Sequence, residues 1–178
     1  MRICLFGASS NLIDQKYLDE TEKLGELMGE AGHALVYGGG TSGLMGACAR
    51  GVKRAGGYVI GVAPKLFNKA GILFPDFDEM FITRNLVDRK QKMMELAEVF
   101  VVAPGGIGTY DEMFEALANS QLGYTKKKVI LFNIDGFFDD LVSFIKKASE
   151  KGFISLASLE LYCTGNTPEE VMEILKGV

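Results

Sequence analysis

Short, unbroken apolar runs recur along this chain, each followed by a longer amphipathic stretch. Residues 2–7, 34–37, 58–63, 99–103 and 129–133 are such runs, and two shorter ones stand at 80–83 and 161–163. A strand with one wet face alternates apolar and polar residues; an unbroken run is covered on both faces. Helical periodicity fills 14–32, 43–55, 85–97, the stretch from Pro104-Gly105-Gly106 to about Gly123, 136–151 and 168–176. Strands that are each followed by a helix become parallel neighbours. The pattern predicts a single-domain, Rossmann-like, doubly wound parallel sheet over residues 1–178, with helices on both faces. At 178 residues the chain is long enough to bury such a core.

Residues 64–78 break the alternation. They are irregular yet apolar, with Leu66, Phe67, Ile72, Leu73, Phe74 and Phe77. A loop of that length and character is expected to act as a lid or an interface. An apolar segment at 66–81 that one small domain cannot bury predicts a homodimer.

Composition removes several kinds of chemistry. His33 is the only histidine and stands at the entrance to a strand, so Ser-His-Asp hydrolysis and His-rich metal sites are not expected. Cys4, Cys48 and Cys163 are far apart and odd in number, which predicts a reducing cytoplasm without disulfides or zinc. A net charge of −4 disfavours general nucleic-acid binding. No run approaches the roughly 18 apolar residues of a membrane span, and the first strand begins too early for a signal peptide. Neither a metal nor a cofactor is implied, so carboxylates and backbone donors are left to act.

In doubly wound sheets, ligands bind beyond the carboxyl ends of the strands. Three loops lie at that edge: Gly7-Ala8-Ser9-Ser10, then Gly38-Gly39-Gly40-Thr41-Ser42-Gly43, then Pro104-Gly105-Gly106-Ile107-Gly108-Thr109. Glycine lets backbone approach a ligand, and a following helix N-terminus offers free N–H groups to an anion. The bland alternative is a set of tight turns. The run from Gly38 to Gly43 matches G-x-G-x-x-G, but it follows the second strand, and Ile60-Gly61-Val62-Ala63 lacks the acid that would hold a ribose. The loop also lacks the lysine of a P-loop.

Beyond the loops, three charged residues stand out. On a helical wheel Lys90 falls within the apolar face of Leu86, Met93 and Ala97, with Arg89 on its border. A cation there either snorkels or meets an anion, and a bound phosphate would serve. Glu112 closes Thr109-Tyr110-Asp111-Glu112, a capping-box pattern repeated in Thr167-Pro168-Glu169-Glu170. It caps its own helix or, above the double-glycine loop, stabilises an oxocarbenium ion or orients water. Lys126-Lys127-Lys128 reads as a solvated loop.

The run Pro104-Gly105-Gly106-Ile107-Gly108-Thr109-Tyr110-Asp111-Glu112 resembles the P-G-G-x-G-T-x-x-E motif of the LONELY GUY family. These are cytokinin riboside 5′-monophosphate phosphoribohydrolases, often labelled lysine decarboxylase-like. Arg89-Lys90 stands where the family has an Arg-Lys pair, and the segments at 37–46 and 6–10 resemble its other loops. The resemblance implies hydrolysis of the N-glycosidic bond of a nucleoside 5′-monophosphate to free base and ribose 5-phosphate. It implies Arg89 and Glu112 as the catalytic pair. Gly105, Gly106, Gly108 and Thr109 would hold the phosphate with Lys90 beside them, and Gly7, Ser9, Gly39, Gly40 and Thr41 would add substrate contacts. A decarboxylase using pyridoxal phosphate would need a Schiff-base lysine and a pocket that a domain of this size has no evident means of building.

There are two departures. Leu86-Val87-Asp88 replaces a common Met-His-Glu, and Lys69-Ala70-Gly71-Ile72-Leu73 lacks the acid of plant members. The preferred base stays open between prenylated adenine, adenine and another purine. Two other readings remain: a nucleotide-sensing module without turnover, and an NAD(P) oxidoreductase.

Overall fold

The computed structural model describes residues 1–67 and 72–178. Its strands are β1 (Arg2–Phe6), β2 (Ala34–Tyr37), β3 (Tyr58–Pro64), β4 (Glu79–Thr83), β5 (Val99–Val102), β6 (Val129–Phe132) and β7 (Tyr162–Gly165). Its helices are α1 (Gln15–Glu30), α2 (Gly43–Arg54), α3 (Leu86–Leu96), α4 (Ile107–Gln121), α5 (Asp139–Glu150) and α6 (Pro168–Lys176). The strands form one parallel sheet in the order β4-β3-β2-β1-β5-β6-β7. This is the doubly wound, Rossmann-like arrangement.

Strand pleating sorts the apolar residues by face. Ile3 and Leu5 pack with Leu24 and Met28 of α1, Cys48 and Val52 of α2 and Val171 of α6. Cys4 and Phe6 point the other way, toward Met93 of α3, Met113 of α4 and Phe138 before α5. Successive side chains on a strand must do this, and both faces are dry because each carries helices. No helix among the described residues is long and apolar enough to cross a membrane.

Glycines also join α1 to α2. A Cβ on Gly25 would lie 2.2 Å from the Cys48 carbonyl oxygen, and one on Gly51 would lie 2.0 Å from that of Glu22. These helices touch backbone to backbone, which the glycine count alone did not foretell.

The chain leaves β1 toward one edge through β2, β3 and β4, then returns across the sheet in α3 to place β5 beside β1. That return lays α3 over β3, β2 and β1. The carboxyl ends of β1 and β5 form the topological switch point, where such sheets open a crevice.

Residues 72–77, in the apolar segment after β3, turn inward more than expected. Phe77 packs on Tyr37 and Phe74, and Phe74 N–H donates to the Gly39 carbonyl at 2.9 Å. An antiparallel bridge joins Gly40 to Leu73. The segment straps the second glycine loop, leaving Leu66, Phe67 and Ile72 partly exposed. The acid-free stretch at Lys69, Ala70 and Gly71 lies outside the described residues.

Candidate active site

A cleft of about 380 Å³ opens at the switch point. Its lining includes Gly7, Ala8 and Ser9 after β1, Gly38 and Gly40 after β2, and Gly106, Gly108, Thr109 and Glu112 at the start of α4. Arg89 reaches in from α3, and Met45, Phe67, Ile72 and Leu73 form an apolar wall.

Asn85 starts α3 by accepting the Asp88 N–H at 2.8 Å, which points Arg89 at the cleft one turn later. Its Nη1 donates to Glu112 Oε1 at 2.7 Å, and its Nε donates to the Val62 carbonyl at 3.3 Å. The pair is nearly dry, with 14% of the Arg89 side chain and 8% of the Glu112 side chain exposed. Burial pushes the Glu112 carboxyl above its ordinary range, against the pull of Arg89.

Glu112 does not cap its helix. The residue capping α4 is Gly106, three residues earlier than the Thr109 box requires, so Thr109 lies inside the first turn. The same pattern at Thr167 does cap, because Pro168 begins that helix: Thr167 Oγ1 accepts the Glu170 N–H. There the Glu170 carboxylate reaches past the cap to the N–H of Asn166.

The two glycine loops differ in what they offer. The N–H groups of Leu44 and Met45 in α2 are taken by the Ala8 carbonyl, and that of Gly43 by Asn11 Oδ1. The α2 terminus is thus occupied from within the fold and has no donors left for an anion. By contrast, α4 begins on a glycine with no side-chain cap, which leaves its first-turn N–H groups without a side-chain acceptor, and Gly106, Gly108 and Thr109 line the cleft.

Several expected residues fall outside the lining. Gly39 holds a left-handed turn, φ +80°, beneath Leu73 and Phe77. The Thr41 N–H and hydroxyl both go to the Ile72 carbonyl. Gly105 lies against Thr109, where a Cβ would come within 2.1 Å of the hydroxyl. Lys90 turns about 100° around α3 from Arg89 and pairs with Asp111 at 2.8 Å and Glu115 at 2.6 Å. Those carboxylates lift its pKa, and the anion it meets is protein. Lys127, placed in a solvated loop, instead donates to the Met94 carbonyl at 2.7 Å and ties down the end of α3. Sequence reasoning passed over Gly38 and the apolar wall as site residues. A run of three glycines has no mark to separate its members.

Residues 45–175 match the family model described as "Possible lysine decarboxylase". The chain is 38% identical over 175 residues to "Probable cytokinin riboside 5'-monophosphate phosphoribohydrolase LOGL6" of Oryza sativa subsp. japonica, covering 98% of this chain and 70% of that protein. It is 35% identical to "Cytokinin riboside 5'-monophosphate phosphoribohydrolase LOG2" of Arabidopsis thaliana, covering 98% and 82%. Among solved structures, the molybdenum cofactor binding protein of Rippkaea orientalis shares the fold, with a TM-score of 0.75 at 24% identity over 99% of this chain and 95% of that one. On its sequence relatives and the matched model, the chain belongs to the LONELY GUY family.

Proposed function

We propose that the chain hydrolyses the N-glycosidic bond of a nucleoside 5′-monophosphate, releasing free base and ribose 5-phosphate. The observation that carries this reading is the buried Arg89–Glu112 pair in a cleft that also takes in a helix N-terminus without a side-chain cap. The 5′-phosphate sits on the first turn of α4, against Gly106, Gly108 and the Thr109 hydroxyl, with Ser9 facing it. This leaves the ribose over Glu112 and the base against Met45, Phe67, Ile72 and Leu73.

In the reaction the C1′–N bond breaks with its electron pair going to the base, and cationic character develops on the sugar. The Glu112 carboxylate stabilises that charge and orients water, whose oxygen bonds to C1′ and keeps one proton as the new hydroxyl while the other passes to the base. Arg89 favours the ionised carboxylate and fixes its direction. Residues 1–178 act as one nucleotide-binding unit, as a homodimer in the cytoplasm. Cytokinin riboside monophosphate is the substrate class in the relatives' names, and adenine nucleotides meet the same site requirements.

The deciding experiment is incubation with a panel of nucleoside monophosphates, with free base resolved by chromatography. Release of base from at least one purine monophosphate is expected. Binding without release from any of them would overturn the reading.

A further inference from the structure

Gly38 touches Arg89 more closely than any side chain would allow. A Cβ built on it would lie 2.1 Å from Arg89 Nη2 and 3.2 Å from Cζ. Its remaining close neighbour, the Met45 sulfur at 3.3 Å, belongs to a flexible side chain that can give way. The guanidinium is tied at two further points. Nε is held by the Val62 carbonyl at the end of β3 and Nη1 by Glu112 on α4, so the plane retreats from a new methyl only by giving up one or both of these bonds.

We infer that Gly38 is a positioning residue: the hydrogen in place of its side chain forms the notch that seats the Arg89 guanidinium against Glu112. Glycine is required here for space, because its φ is not in the left-handed range, unlike that of neighbouring Gly39. Gly40, in the same run, differs again: a Cβ there meets only the Met45 methyl, at 3.8 Å. Of these three consecutive glycines, Gly38 is required for space and Gly39 for its φ, Gly40 meets neither constraint, and only the first concerns the catalytic pair.

The inference rests on the reading of Arg89 and Glu112 as the reacting pair, so its test includes a measurement independent of turnover. That measurement is the titration of the Glu112 carboxyl, followed by ¹³C NMR in the free protein. The charged groups around the carboxyl are Arg89 and Lys90 on α3 and Asp111 on its own helix, with the Cys4 thiol on β1 nearby. Gly38→Ala displaces Arg89, so the carboxyl titrates higher than in the native chain. With the pair misaligned by about 1 Å, kcat falls about 10²-fold, with a much smaller change in KM.

A lysine at position 89 has no Nη2 for the new methyl to strike. Adding Gly38→Ala to an Arg89→Lys chain is therefore expected to move neither the titration nor the melting temperature further. Gly40→Ala in the native background leaves the titration in place. Should Gly38→Ala alone fail to fold, folding of the Gly38→Ala/Arg89→Lys chain supports the notch. Equal effects of Gly38→Ala in both backgrounds, or failure of both chains to fold, would overturn it. So would a Gly40→Ala shift as large as that of Gly38→Ala. A failure of the functional reading appears elsewhere, as unimpaired turnover in Glu112→Gln, and leaves the Gly38 titration result intact.

Discussion

Arg89 Nη1 and Glu112 Oε1 stand 2.7 Å apart, in a contact that joins α3 to α4 over the carboxyl end of the sheet. Among the described residues, neither group has another charged partner of comparable burial. Removing one member leaves the other nearly dry and unpaired, so substitutions here must preserve shape.

Glu112→Gln preserves it. The amide oxygen still accepts from Arg89, and no helix cap is lost because Gly106 begins α4. The expected result is a fall in kcat of about 10²-fold or more, with melting temperature little changed. Steady-state kinetics and a thermal melt on the same preparation test it, and near-native turnover would remove Glu112 from the chemistry.

The raised Glu112 pKa has opposite consequences for stability and rate. A carboxyl whose folded pKa exceeds its unfolded one stabilises the fold below the ordinary glutamate range, and that contribution is lost as pH rises through the folded value. In the proposed reaction turnover needs the carboxylate, so kcat/KM is expected to fall as pH drops through the same value. Because a substrate phosphate itself titrates near about 6, the value is assigned by carboxyl ¹³C shifts in the free protein. Titration at or below the ordinary glutamate value would refute the account.

One open helix N-terminus predicts a strong demand for the 5′-phosphate. Two or three charge-assisted hydrogen bonds imply at least about a 10²-fold preference in kcat/KM for a nucleotide over its nucleoside. Thr109→Val keeps the shape and removes one hydroxyl, so the preference narrows. Comparable kcat/KM for adenosine and AMP would return the α4 loop to an ordinary turn.

Gly25→Ala addresses the opposite face of the sheet. Its methyl would meet the Cys48 carbonyl, forcing α1 and α2 apart at an overpacking cost of about 1–3 kcal/mol. In a chain of this size the melting temperature drops by about 3–10 °C. The folded fraction keeps native kcat, since the cleft lies elsewhere; an unchanged melt would show that the helices separate freely.

Association is tested by light scattering at micromolar concentration, with a mass twice the 19.4 kDa of the chain expected. The described residues of the segment after β3 contribute less exposed apolar surface than their composition suggests. Ile107 at 85% exposure, with Val87, Leu86 and Phe114, contributes more, on α3 and α4. A monomeric mass would end the proposal.

The parallel sheet was legible because both-face burial writes itself as unbroken apolar runs, and helix starts at Asp14 and Thr167 because their side chains do cap. The Thr109 box leaves capping and chemistry both open, and capping fails because Gly106 already opens the helix, which a local pattern does not record. The wheel placed Lys90 inward and Arg89 at the border, yet it knew nothing of what α4 presents. Asp111 and Glu115 take the lysine, and Glu112 takes the arginine. Likewise the glycine loop after β2 reads as an anion cradle in sequence, but the Ala8 carbonyl occupies the N–H groups of Leu44 and Met45 that follow it.

The return of α3 from the sheet edge to its centre also sets an order of events. Arg89 meets Val62, Gly38 and Glu112 only after β3, β2 and the β5–α4 unit have all docked. Those contacts are distant in sequence and are expected to close late, after the local helices have formed. During refolding, regain of catalysis should therefore trail regain of helical signal, making turnover a reporter of the final docking step.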